Sequence, residues 1–262
     1  MPKVLDAVIF DWAGTTVDFG SMSPVAAFMK AFKSYGIEVT EEETRAPMGM
    51  LKREHIKTML NMPRIAKAFS QEYGRVACDT DIDEIYNVFE PSLFEVLPQC
   101  SKLKPFVLEA VNYLHSLNVK IGSTTGYTAS MMQVVTDEAK KQGYEPDCMV
   151  TPDMVQNYGR PYPYMIFENM QRLAVKNVKH IIKIGDTASD IEEALNAGVF
   201  AVGICEGSSV LGLSENEYYA LGEADRMLHR QKAKAKFYSY GADFVIDDLS
   251  EISKAVEAFY KK

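Results

Sequence analysis

The chain has 262 residues, 36 acidic against 28 basic, with a formal net charge of −8; hydrophobic residues make up 47% and charged residues 24%. That length gives one large or two modest domains with a sizeable core, and the composition excludes collagen-like, coiled-coil and disordered classes. The negative charge repels nucleic-acid phosphates and anionic lipid, so neither is an expected partner, and an anionic substrate requires a local electropositive site. The four cysteines, Cys78, Cys100, Cys148 and Cys205, are widely spaced with no CxxC pair and read as reduced thiols. No apolar run approaches the ~20 residues of a membrane span. Met-Pro-Lys leads straight into a strand-like segment without a signal-peptide pattern, so the expected location is cytoplasmic.

Val4 to Phe10, VLDAVIF, is a nearly continuous apolar run closed by Asp11 and a polar loop, as in a buried parallel strand. Residues 22–97 then show helical patterns and no convincing strand, among them Val25 to Ser34, Arg53 to Leu60, Ile65 to Tyr73 and Ile82 to Phe89, the last ended or kinked by Pro91. Strand-like runs resume at Val119 to Ser123, Cys148 to Thr151, His180 to Ile184, Val199 to Ile204 and Phe244 to Ile246, with helical faces between several of them. The alternation predicts an α/β core with a doubly wound parallel sheet and an all-helical cap inserted after the first strand. The expected boundaries are residues 1–20 and 99–262 for the core and 21–98 for the cap. The linkers are Phe19-Gly20-Ser21 and Pro98 to Lys104, which suit a cap that hinges over a site between the two parts. Lys232 to Lys236 reads as the solvated face of a helix.

Ligands in open α/β sheets sit beyond the carboxyl ends of the strands. Asp11, then Thr124-Thr125-Gly126-Tyr127, then Gly159-Arg160-Pro161, then Asp186 to Asp190 all follow predicted strands. Taken singly, Asp11 is as well explained by a strand-end turn, and Asp186 or Thr187 by a helix cap. Taken together, they supply what phosphoryl transfer needs. A carboxylate such as Asp11 can attack phosphorus once a cation offsets the repulsion, and Asp11 with Asp186 offers hard oxygen ligands to Mg2+. Arg160 and Thr125 would hold the transferring group, and Asp190 would reach the metal through water or orient Arg160 or Lys183.

The four segments, in this order and on these strands, resemble the haloacid dehalogenase superfamily. The resemblance implies that Asp11 is the nucleophile, Thr125 the Ser/Thr position, Arg160 the cationic position and Asp186 with Asp190 the acidic metal position. It also implies a metal held by Asp11, Asp186 and the backbone carbonyl of Ala13. Ala13 departs from the superfamily's phosphatases and mutases, which carry an acid there to protonate a leaving oxygen. A carbon leaving group needs an electron sink instead, and an imine with a lysine supplies one. Lys52, at the start of a predicted helix beside a loop marked by Pro47 and Gly49, fits that role; the helix end and Arg53 are expected to disfavour its ammonium form. His55, three residues on, shares its helical face and could move protons.

The segments around Asp11, Lys52, Thr125 and Arg160, together with Gly207-Ser208-Ser209 and Leu211-Gly212-Leu213, further resemble the phosphonatase (phosphonoacetaldehyde hydrolase) family. That resemblance implies a Mg2+-dependent homodimer acting on a small phosphonate, with Met48 shielding the imine and Gly126 and Tyr127 lining the substrate site. A phosphatase or phosphomutase lacking the usual acid, turning over phosphate esters without Lys52, is the alternative expectation.

Overall fold

The computed structural model describes residues 4–262. Six parallel strands form one sheet in the order β3-β2-β1-β4-β5-β6. They are β1 (Ala7–Phe10), β2 (Lys120–Thr124), β3 (Cys148–Val150), β4 (Ile181–Gly185), β5 (Phe200–Ile204) and β6 (Phe244–Ile246). The first is shorter than the apolar run suggested, because Val4 is exposed and pairing begins only at Ala7.

Along β1 the side chains alternate between two apolar layers, as the pleat requires. Val8 and Phe10 join one layer, Ala7 and Ile9 the other. The first layer is completed by α6 (Val107–Ser116), α7 (Ala129–Lys141) and α12 (Ile252–Lys261). The second is completed by α8 (Tyr164–Arg172), α9 (Ala188–Ala197) and α11 (Glu223–Ser239). Helices on both faces explain why the strands read as unbroken apolar runs.

Six helices lie between β1 and β2, and the five before α6 form the insertion: α1 (Met22–Ser34), α2 (Glu41–Arg45), α3 (Lys52–Leu60), α4 (Pro63–Tyr73) and α5 (Asp79–Cys100). Phe28, Phe32, Ile56, Met59, Ile65, Phe69, Ile85 and Phe89 are buried among them. The expected break at Pro91 does not occur, since α5 runs through Pro91 and Pro98 to Cys100. Both prolines are exposed, and so is Asn87 four residues before the first, so the carbonyl that loses its donor is in reach of solvent. Helix α5 therefore takes up Pro98 to Cys100 of the segment expected to be the second linker. Gly20 and Ser21 of the first expected linker, and Asp18 just before it, all have positive φ. Asp18 caps α1 by accepting from the N–H groups of Met22 and Ser23, both at 3.1 Å.

Register decides where the chemistry gathers. Phe10 pairs with Ser123 of β2 and with Ile184 of β4. Asp11, Thr124 and Thr125, and Asp186 therefore leave the sheet side by side, at the point where the strand order reverses.

Candidate active site

Arg160 is the hub of the buried polar cluster. Its Nη1 is 2.7 Å from Asp11 Oδ1 and 3.0 Å from Asp190 Oδ1, its Nε is 3.0 Å from Glu193 Oε2, and its Nη2 donates to Thr124 Oγ1 at 2.8 Å. Burial works against the guanidinium charge, but Asp190, Asp11 and Glu193 outweigh it and hold Arg160 charged above the ordinary arginine range. Asp190 also accepts from Lys183 Nζ at 2.7 Å and from the Thr187 hydroxyl at 2.6 Å, while Thr187 caps α9. Both Asp190 oxygens are thus engaged, which suits an orienting role rather than direct metal contact.

Asp186 stands apart. Its Oδ2 accepts from the Ser209 N–H at 2.7 Å, while Oδ1 is buried with no partner. Burial first, then the Asp11 and Asp190 charges, push this carboxyl well above the usual range. Asp11, Asp186 and Asp190 can bring ligand atoms within 4.8 Å of one another. The unpaired hard oxygen and the uncompensated carboxylate charge fit a divalent cation. The Ala13 carbonyl accepts the Ser21 hydroxyl at 3.0 Å and retains a lone pair for the same cation. Gly14, at φ +86°, admits this packing, since a Cβ there would stand 2.1 Å from Asp186 Oδ2.

Lys52 enters from the other side, as the first residue of α3. It is 3% exposed and makes no hydrogen bond or ion pair with the described residues. Its Nζ lies 4.7 Å from the centre of the Tyr127 ring. Burial pushes the amine down to about 8, against the pull of Asp11 and with the help of Arg160. Arg53 is not the cause expected from sequence. It points outward, partly exposed and paired with Asp83 at 2.6 Å.

His55 lies behind Lys52, stacked on Phe28 with ring centres 3.9 Å apart. Burial, then the Lys52 charge, lower its pKa well below the ordinary value, so the ring is neutral. Nε2 faces the Thr44 carbonyl at 2.8 Å and must carry the proton, which leaves Nδ1 as a buried lone pair without a partner.

Asp11, Ala13, Met48, Lys52, Thr125, Gly126, Tyr127, Arg160 and Asp186 line one small cavity of about 20 Å³; His55 is not on its wall. That is room for about one water molecule. Two residues unforeseen from sequence support it. Glu193 anchors Arg160 and Thr124, and Lys104 donates to the carbonyls of Gly14 and Glu206. Glu193 lies one helical turn beyond Asp190 in α9, and that spacing was the signal available.

The insertion meets the core beside the cavity through a backbone contact. A Cβ on Gly126 would stand 2.6 Å from the carbonyl oxygens of Gly49 and Met50. Gly126→Ala is expected to hold the helical insertion off the core and cut kcat roughly 100-fold, with the melting temperature little changed. Steady-state kinetics and a thermal melt of the variant check this.

Residues 5–198 match the family model for haloacid dehalogenase-like hydrolases. Phosphonoacetaldehyde hydrolase of Bacillus cytotoxicus is 44% identical over 98% of this chain and 97% of that protein. Its namesake from Lysinibacillus sphaericus is 46% identical over 95% of this chain and 92% of that protein. A solved phosphonoacetaldehyde hydrolase-like protein from Oleispira antarctica superposes with a TM-score of 0.92 at 38% identity, covering 98% of this chain and 94% of that one. The carboxylate cluster at the carboxyl end of the sheet and these likenesses agree that the chain is a hydrolase, a member of the haloacid dehalogenase-like hydrolases and, within them, of the family of proteins named phosphonoacetaldehyde hydrolase.

Proposed function

We propose that this hydrolase cleaves the phosphorus–carbon bond of phosphonoacetaldehyde to give acetaldehyde and phosphate. The observation that carries the reading is an unpaired, buried Lys52 amine in the same cavity as Asp11, where Ala13 offers no acid to a leaving oxygen. The names of the relatives support the same substrate.

In the proposed sequence, the Lys52 amine condenses with the aldehyde and releases water, leaving an iminium. An Asp11 oxygen attacks phosphorus in line as the P–C bond breaks. The departing electron pair flows into the iminium and gives an enamine. Carbon then takes up a proton, and water releases acetaldehyde and restores the amine. A second water cleaves the aspartyl phosphate. Bound at Asp11, Asp186 and the Ala13 carbonyl, Mg2+ would offset charge between nucleophile and phosphonate. Arg160, Thr125 and the Gly126 backbone would hold the phosphoryl oxygens, with Asp190 steadying Arg160. Tyr127 and Met48 would wall off the imine from water. The neutral His55, one turn from Lys52, would serve as the proton acceptor behind the amine.

Residues 21–98 are proposed to act as a mobile cap on the core of residues 1–20 and 99–262. Asp11 and Arg160 are 4% exposed and Lys52 3%, so loading a phosphonate onto them would require the two parts to separate. A cytoplasmic homodimer is proposed with this reading. Free thiols support the location. An exposed cluster of Tyr158, Tyr162, Tyr164 and Phe167 supports a second copy.

The pH profile tests the amine. Below about 8 the ammonium form dominates and cannot attack, and deprotonation with rising pH frees it. The rate of imine formation is expected to rise roughly tenfold per pH unit up to that point and then level off. Stopped-flow measurement of imine formation between pH 6 and 9 checks it; a flat profile through pH 8 argues against Lys52.

A further inference from the structure

A second, larger chamber of about 450 Å³ lies between the helical insertion and the core. Met48 and Thr187 line both this chamber and the catalytic cavity, so they form the partition between them. Arg45, at the end of α2, forms part of the chamber wall, and its side chain is 10% exposed. Its Nη1 donates to the Gly20 carbonyl at 2.7 Å and its Nη2 meets Met22 Sδ at 3.1 Å, but Nε is buried without a hydrogen-bond partner. Ser209, 5% exposed, lines the same space; its N–H holds Asp186, while its hydroxyl has no partner. The N-terminus of α9, at Ala188, and the side chain of Lys236 complete the positive wall. Buried polar groups left unpaired are costly, and these unpaired groups belong to a cation and a hydroxyl beside a helix N-terminus. A small oxyanion would satisfy them together. Two carboxylates, Glu41 and Glu42, also line the chamber; both are exposed, and Glu41 stands 3.8 Å from Arg45 Nε, beyond hydrogen-bond reach, so solvent screens their competition.

We propose that this chamber is a second binding site for a phosphoryl oxyanion, a station on the path between solvent and the catalytic cavity past Met48. The proposal rests on the phosphoryl chemistry read at Asp11. Its occupant is either arriving phosphonate or departing phosphate, which share the group recognised. The two carboxylates of the chamber, Glu41 and Glu42, are exposed and none of the buried Asp11, Asp186 and Asp190 cluster lines it, so phosphate binding there should survive removal of metal.

The test is calorimetric titration of inorganic phosphate into the full chain in EDTA. One saturable site is expected, weakened about tenfold or more in Arg45→Gln and severalfold in Lys236→Gln. The second variant changes an exposed residue, so it reports even where the first fails to fold. No saturable binding in EDTA, or binding indifferent to both substitutions, overturns the proposal. Kinetics of Arg45→Gln separate the sources. A fall in kcat/KM at unchanged kcat marks substrate capture; a fall in kcat with loss of noncompetitive phosphate inhibition marks product exit. Turnover of phosphonoacetaldehyde by the unaltered chain is assayed alongside. Turnover without metal-independent phosphate binding sinks the chamber alone, and binding without turnover sinks the substrate reading alone.

Discussion

Lys52→Met is expected to abolish hydrolysis of phosphonoacetaldehyde, by roughly 10⁴-fold or more, while leaving the chain at least as stable as before. The two halves of this expectation have one cause. Lys52 is buried with no carboxylate partner, and its amine is already pushed down to about 8 by burial. Folding therefore works against its charge, and a methionine of similar length removes that cost. The same substitution removes the amine that would make the electron sink, and no other lysine lines the cavity. Kinetics and a thermal melt on one preparation check both halves. A variant that keeps a tenth of wild-type turnover would refute the imine.

Asp11→Asn should be equally inactive, again by roughly 10⁴-fold or more, because an amide is a poor nucleophile toward phosphorus. Its second effect runs the other way. The Asp11 charge is the largest influence raising the Lys52 pKa against burial. Without it the Lys52 pKa falls below about 8, and more of the amine is free at pH 7. Imine formation is then expected to be faster in Asp11→Asn than in the unaltered chain at pH 7, although no phosphate follows. Stopped-flow and phosphate assays together check this. Slower or absent imine formation would show that Asp11 acts earlier than attack on phosphorus.

Much of this architecture was legible because parallel strands buried on both faces must be apolar throughout, and their polar residues then mark the carboxyl ends. Asp11, Thr125 and Asp186 were found that way, and the pairing of Phe10 with Ser123 and Ile184 shows why they meet. The helical insertion was legible from its period. The length of α5 was not, because Pro91 breaks a helix only where the lost hydrogen bond is buried, and exposure cannot be read locally. Glu193 and Lys104 were missed for a related reason. Each acts through a partner distant in sequence, Arg160 for one and Gly14 for the other. The Lys52 pKa is lowered by burial rather than by Arg53, because helix position alone does not say which way a neighbouring guanidinium points.

The most direct test of the imine is borohydride reduction in the presence of phosphonoacetaldehyde, followed by peptide mass mapping, with phosphate release assayed in parallel. The account predicts a reduced adduct on Lys52 and loss of activity in proportion to labelling. An unlabelled Lys52 in a chain that releases phosphate from ordinary phosphate esters would contradict it.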